Sequence, residues 1–334
     1  MPLVAYSDLP AFAALQGEGQ AIVSSKAAAA NGLPSLKIGL LNLVPDGVFR
    51  ATERQFMRLL ANQQHANIDV RLLTVPDSER GVFEQAHIDR FYHSSEGINE
   101  QSLDALLITG ANPKTDDITR EAFWHAMVEA MNWGRTHVKS IVCSCLATHA
   151  YMHAFHGTLR VRQPKKCWGI YSHHTCVPNH PILSSVGDDV VGPHSHVYAV
   201  TREQVEMAGF DVLVESETAG VYLAASEDGL KTILYQGHPE YDSISLMKEY
   251  KRDITLHFAG KKPECPPLPE NYFSRECVDI LYSYRNRGLE AKNAGEELPE
   301  FPESELHAHL QNTWSENGRI IFGNWIRQLL EVTS

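Results

Sequence analysis

The sequence predicts an α/β fold: a mostly parallel sheet flanked by helices, with an antiparallel edge region and a C-terminal helical extension. Three observations predict it. Between residues 36 and 155, apolar runs of strand length alternate with segments of helical period, the pattern of βαβ units. From about 168 to 236 the pattern changes to short strand-like runs broken by Gly, Pro and Asp, which suits antiparallel pairing or a sheet edge. Beyond a Pro-rich stretch, the chain ends in an apolar helical segment.

Residues 1–35 read as an N-terminal arm of mixed order, closed by the Gly- and Pro-bearing run 24–35. Residues 36–44 (LKIGLLNLV) form a continuous apolar run suited to a buried parallel strand, stopped by Pro45-Asp46-Gly47. A helix is expected over 52–63, with Phe56, Leu59 and Leu60 at helical spacing and Thr52 as a possible N-cap. Strands follow at 68–75, 103–109 and 138–144, with helices at 119–135 and 146–155. Residues 211–216, 220–226 and 230–237 alternate as strands, and 242–260 is helical again. Pro263, Pro266, Pro267 and Pro269 make a rigid linker. An acidic loop over 290–305 then precedes a terminal helix around 320–330. The expected division is the arm 1–35, an α/β catalytic domain 36–260, and a linker with a helical extension, 261–334, packed on that domain.

Composition narrows the chemistry. Of 334 residues, 43% are hydrophobic and 21% charged, so a large core needs no disulfide framework. The net charge of −12, with no Lys/Arg block, argues against nucleic acid and anionic membranes as partners. No basic leader and no run of about 18 apolar residues appears, which predicts a cytoplasmic protein. Six cysteines at 143, 145, 167, 176, 265 and 277 form no CxxC pair, consistent with free thiols in a reducing compartment. The densest histidines, His173-His174 and His194-Ser195-His196, lack any recognised ligand spacing, so no metal is expected. His149, His153 and His156 lie on one helical face, read as packing. No phosphate-cradling Gly loop is present, and no cofactor is expected.

Two motifs carry chemistry. In SIVCSCLATHA (140–150), Cys145 falls where an apolar strand hands over to a helix, outside the carboxyl end of a parallel strand. The helix dipole and free N–H groups there favour a thiolate, and the N–H of Leu146 points where an oxyanion would form. Cys143, two residues back, reads as a buried structural thiol. In LYQGHPEYD (234–242), His238 and Glu240 project to the same side of an extended segment. There a carboxylate can hold an imidazole in the tautomer that accepts a proton. Together they read as a Cys–His–Glu triad.

SCLA with GHPEYD resembles the class-I glutamine-amidotransferase (flavodoxin-like) arrangement. More closely, the chain resembles the homoserine O-succinyltransferase/O-acetyltransferase family through LKIGLLNLVP, TERQFMRLL, LDALLITGA, WGIYSHH, GPHSH, GHPEYDSISLMKEYKRD and GRIIFGNWI, spanning roughly 36–330. Ala147 stands where an amidotransferase elbow carries Gly, which favours the acyltransferase branch. The resemblance implies transfer of an acyl group from acyl-CoA, as co-substrate, to the hydroxyl of L-homoserine in methionine biosynthesis. It implies an acyl-cysteine on Cys145, a second oxyanion donor near Val44, and substrate contacts from Lys166, Ser195 and Arg252. It also implies a homodimer.

Three positions depart from the family pattern. Lys114 stands where succinyl-CoA users carry Gly and acetyl-CoA users Glu; His196 follows Ser195 where Arg is usual; and Arg50 is the one cation in the loop that usually holds a Lys pair. The acyl donor therefore stays open. So does the acceptor, with L-serine for cysteine biosynthesis, or an amidase-type hydrolysis, as alternatives.

Overall fold

The computed structural model describes residues 2–61, 66–76 and 78–333. The strands are β1 (Leu3–Ala5), β2 (Ile22–Ser24), β3 (Ser35–Leu41), β4 (Asn67–Thr74), β5 (His93–Ser94), β6 (Ala105–Ile108), β7 (Ser140–Ser144), β8 (Val161–Thr175), β9 (Asp189–Ala199), β10 (Phe210–Ser216), β11 (Gly220–Ser226) and β12 (Thr232–Tyr235). The helices are α1 (Pro10–Gly17), α2 (Ser25–Ala30), α3 (Phe49–Ala61), α4 (Val82–Phe91), α5 (Trp124–His137), α6 (Leu146–His156), α7 (Arg202–Met207), α8 (Ser245–Phe258), α9 (Arg275–Ala294), α10 (Glu303–His307) and α11 (Ser315–Thr333).

One sheet runs through the molecule in the order β2-β1-β4-β3-β6-β7-β12-β11-β10-β8-β9, with β5 beside β4. The pairings from β2 to β12 are parallel, and those from β12 to β9 are antiparallel. The expected α/β architecture with an antiparallel edge is therefore present. Alternation along β3 and β4 sends Leu36, Ile38, Leu40, Ile68, Val70 and Leu72 to one face, against α1, α3 and α11. Leu106, Ile108, Ile141 and Cys143 point to the other, under α5 and α6. A third cluster joins α8, α9 and the segment through Trp314 to Trp168 and Ile170 of β8.

Three regions differ from expectation. The N-terminal arm is part of the sheet, with β1 between β2 and β4 and Leu3 fully buried. The edge region is built on two long strands, β8 and β9, because β8 runs on past Pro164 and pairs with β9 again after a register shift between Arg162 and Cys167. A 20-residue helix, α9, fills the stretch between the Pro-rich linker and the acidic loop, to which no element was assigned, and runs into the start of the segment read as loop. Residues 62 and 63 of the expected 52–63 helix lie outside the described residues. Among the described residues, no helix is long and apolar enough to cross a membrane.

Candidate active site

β7 lies between β6 and β12, and Cys145 follows its last residue directly. The Cys145 N–H donates to the Tyr235 carbonyl at 2.7 Å, extending the β7–β12 pairing by one step. Thr148 Oγ1 donates towards the Cys143 and Tyr235 carbonyls at 2.9 and 2.8 Å, pinning the first turn of α6. Between these ties Cys145 adopts φ 52°, ψ −112°. A non-glycine residue held there stores on the order of 1–3 kcal/mol of strain. The result is a sharp strand-to-helix turn that presents the thiol at the N-terminus of α6.

The turn fits because Gly110 follows β6 next door. A Cβ on Gly110 would stand 3.2 Å from the Cys145 Cβ and 3.6 Å from the Leu146 nitrogen. Main chain at Gly110 and at Leu146 thus flanks the thiol, the arrangement an oxyanion needs. Val44 is the second donor that the resemblance implies. Val44 follows β3, which β6 separates from β7; its N–H faces the Asn42 side chain at 3.4 Å and its carbonyl accepts from Arg80 at 2.7 Å. Cys143 sits fully buried inside β7, where burial pushes its thiol up.

His238 follows β12, its N–H bonded to the Pro193 carbonyl at 2.9 Å. Its Nδ1 lies 2.8 Å from Glu240 Oε1, and its ring lies close enough to Cys145 to feel the charge of the thiolate. Burial pushes this imidazole down, but the charges of Glu240 and Cys145 and the bond to Glu240 outweigh it and hold it well above its ordinary value. The three side chains named from the sequence thus lie near one another, with Glu240 hydrogen-bonded to His238 and Cys145 beside it. Gly237 makes the approach possible, since a Cβ there would meet the Tyr222 ring at 2.2 Å.

Beside the triad lies a polar cluster that the sequence reading met only in part. The Tyr241 ring stacks on His238 with centroids 4.2 Å apart, and its hydroxyl donates to Glu249 Oε1 at 2.9 Å. The other oxygen of Glu249 accepts from Ser195 Oγ at 2.6 Å and Lys166 Nζ at 3.0 Å. Burial would raise the Glu249 carboxyl, yet Lys166, Ser195 and Tyr241 together hold it below its ordinary value. Lys166 also lies over the Trp168 ring at 4.1 Å. Arg252 sits one turn further along α8, half-exposed, with its Nε on Asp253 at 2.9 Å. So Lys166 and Ser195 meet at Glu249, with Arg252 on the same helix, and Glu249 itself is a residue that the sequence analysis did not single out. Lys114 is apart from this group: it is 84% exposed and pairs with Glu79 at 3.6 Å.

The arrangement can form and break an acyl bond at sulfur, with a braced imidazole to move the proton and a largely covered anion nearby to receive an ammonium group. Comparison with known proteins identifies the family. The family model described as homoserine O-succinyltransferase matches residues 2–333. A protein named homoserine O-succinyltransferase from Methylococcus capsulatus is 42% identical over all of this chain and 94% of its own length. One of the same name from Thiobacillus denitrificans is 43% identical with the same coverage. Among solved structures, a glutamine amidotransferase from Methylobacillus flagellatus aligns over 89% of this chain and 95% of its own, with a TM-score of 0.47 and 16% identity. With a family model spanning almost every residue and relatives this similar from end to end, the chain belongs to the homoserine O-succinyltransferase family.

Proposed function

We propose that the protein transfers an acyl group from acyl-CoA to the hydroxyl of L-homoserine through an acyl-cysteine intermediate, in methionine biosynthesis, with succinyl-CoA as donor. The observation that carries this reading is the series Cys145–His238–Glu240, in which the thiol is raised on a strained turn and the imidazole is braced by a buried carboxylate at 2.8 Å. The donor follows the name the relatives bear.

In the first half-reaction, the Cys145 thiolate attacks the thioester carbonyl. The C–S bond to CoA breaks and the CoA sulfur takes a proton from the His238 imidazolium. The main chain at Leu146 and Gly110 faces the developing oxyanion. One thioester replaces another, so the acyl group keeps its reactivity. In the second half-reaction, the acceptor hydroxyl attacks the acyl-cysteine carbonyl, giving its proton to His238, and Cys145 leaves as thiolate. Glu240 stabilises the imidazolium in both halves. Glu249 is suited to the α-ammonium of the amino acid, and Arg252 to its α-carboxylate.

Release of free CoA from succinyl-CoA and from acetyl-CoA, each with homoserine and with serine, tests the proposal. Succinyl-CoA with homoserine should turn over fastest, and intact-mass analysis should find a succinyl adduct on the protein. Cys145→Ala should abolish adduct and turnover together. Full turnover without that sulfur overturns the mechanism, and preference for serine overturns the acceptor.

A further inference from the structure

One face of the β8–β9 pair is an unusual column for the inside of a sheet. Cys167 stands directly across from His196, and His194 precedes His196 by two residues, so all three side chains leave the same face. Tyr171 and His173 continue the column along β8. Both His194 and His196 are buried, and one ligand atom from each of Cys167, His194 and His196 lies within 4.8 Å of the other two.

The hydrogen bonds in this column do not close among themselves. His173 Nδ1 lies 3.1 Å from the Val190 carbonyl, which can only accept, so Nδ1 carries the proton and Nε2 is bare. His194 Nε2, 2.9 Å away, must donate to it, which leaves His194 Nδ1 bare. His196 Nε2, 2.9 Å from that nitrogen, must donate in turn. The neutral chain then ends on His196 Nδ1, a buried lone pair with no hydrogen-bond partner among the described residues. Such an orphan is costly.

We propose that Cys167, His194 and His196 form a binding site for a borderline-soft divalent cation of the zinc class, distinct from the Cys145 triad. The ligating atoms are the Cys167 thiolate, His194 Nδ1 and His196 Nε2. Two nitrogens and one sulfur are the donor set such a cation prefers. In a tetrahedral site, donors sit about 3.3–3.7 Å apart, so the two imidazole nitrogens separate by a few tenths of an ångström. His173, which accepts from His194 Nε2 and is itself anchored to Val190, is the outer partner that fixes the ligand's tautomer. Metal on His196 Nε2 moves the ring proton to Nδ1, so that the bare lone pair becomes a donor, and the Tyr198 main chain favours a proton on this ring. The fourth position goes to a solvent molecule or to the Tyr171 hydroxyl, which accepts from the Trp168 N–H next to Cys167 at 3.2 Å. Lys166 nearby adds no uncompensated charge, since it is paired with Glu249 at 3.0 Å. The thiol proton is released as the cation binds.

The test uses the full-length chain without a histidine tag, incubated with zinc and desalted. Metal analysis by plasma mass spectrometry should find about one zinc per chain, falling at least tenfold in Cys167→Ser and in His196→Gln. Cys145→Ala should keep its zinc. Cobalt(II) in place of zinc should give a thiolate-to-metal charge-transfer band that survives Cys145→Ala and vanishes in Cys167→Ser. The wild-type melting temperature should rise with added zinc, and that of Cys167→Ser should not. Wild-type protein without stoichiometric zinc overturns the proposal. So does metal that persists in folded Cys167→Ser, or that leaves with Cys145. None of these readouts depends on turnover, so they stand apart from the acyl-transfer proposal.

Discussion

At the scale of single residues, the site is organised by two carboxylates with different partners, Glu240 buried and Glu249 largely covered. Glu240 gives one oxygen to His238 at 2.8 Å, while its second oxygen has no hydrogen-bond partner among the described residues. Its charge is therefore directed at one imidazole. Glu249 has every neighbour supplied: Lys166 and Ser195 on one oxygen, Tyr241 on the other. That group can receive an incoming ammonium without reorganising. Glu249→Gln should therefore separate the two half-reactions. Acylation of Cys145 by acyl-CoA should continue at close to the normal rate, while KM for the amino acid rises tenfold or more, since losing one member of a buried charge pair costs roughly 2–5 kcal/mol. Single-turnover acylation followed by mass, alongside steady-state kinetics, checks this. A proportional loss in both halves would show that Glu249 acts on the triad through Tyr241 instead.

At the scale of elements, α8 carries Glu249 and Arg252, and α9 holds α8 in place. The closest approach is at Gly288, where a Cβ would meet the Phe258 ring at 2.4 Å. Gly288→Ala should destabilise the protein by about 1–3 kcal/mol, the usual cost of overpacking. Adding Phe258→Leu should recover part of that loss. Denaturant midpoints of the two variants decide it, and an unchanged midpoint in Gly288→Ala would mean the helices are not closely packed. This element also shows where sequence reading stops. The residues α9 buries are Cys277, Leu281, Tyr284 and Gly288, at helical spacing but with little apolar bulk to mark a stripe. Strands β6 and β7 were legible as apolar runs buried on both faces, and β3 and β4 because their apolar residues dominate despite the half-buried Lys37, Asp69 and Arg71. β1 and β2 are three residues each and owe their position to pairing across the sheet. Cys145, His238 and Glu240 were legible because strand ends and short spacing bring them together. Glu249 was not, because a carboxylate between Lys248 and Lys251 reads as solvated until Tyr241 and Ser195 are seen to cover it.

At the scale of the whole molecule, the buried polar histidines set how the fold responds to acid. His149 on α6 is enclosed, with Nε2 3.1 Å from Gln236 Oε1. Burial, aided by the charge of Arg160 and only partly offset by the Gln236 bond, pushes its imidazole down to about 4. The folded-state value thus lies below the unfolded one, near 6.5. The corresponding stability is complete above that value and is lost as the pH falls towards about 4. A difference of this size is worth on the order of 3 kcal/mol. Carboxylates held low, such as Glu249 and Asp253, lose their contribution only below their ordinary values of 4.5 and 3.8. The interval between pH 6.5 and about 5 therefore belongs to the histidines. Urea unfolding at several pH values should show wild-type stability falling through that interval. His149→Gln, whose amide can still bond Gln236 but takes up no proton, should fall less steeply there. Parallel curves for the two proteins would mean that His149 is already charged, or already solvated, in the folded state.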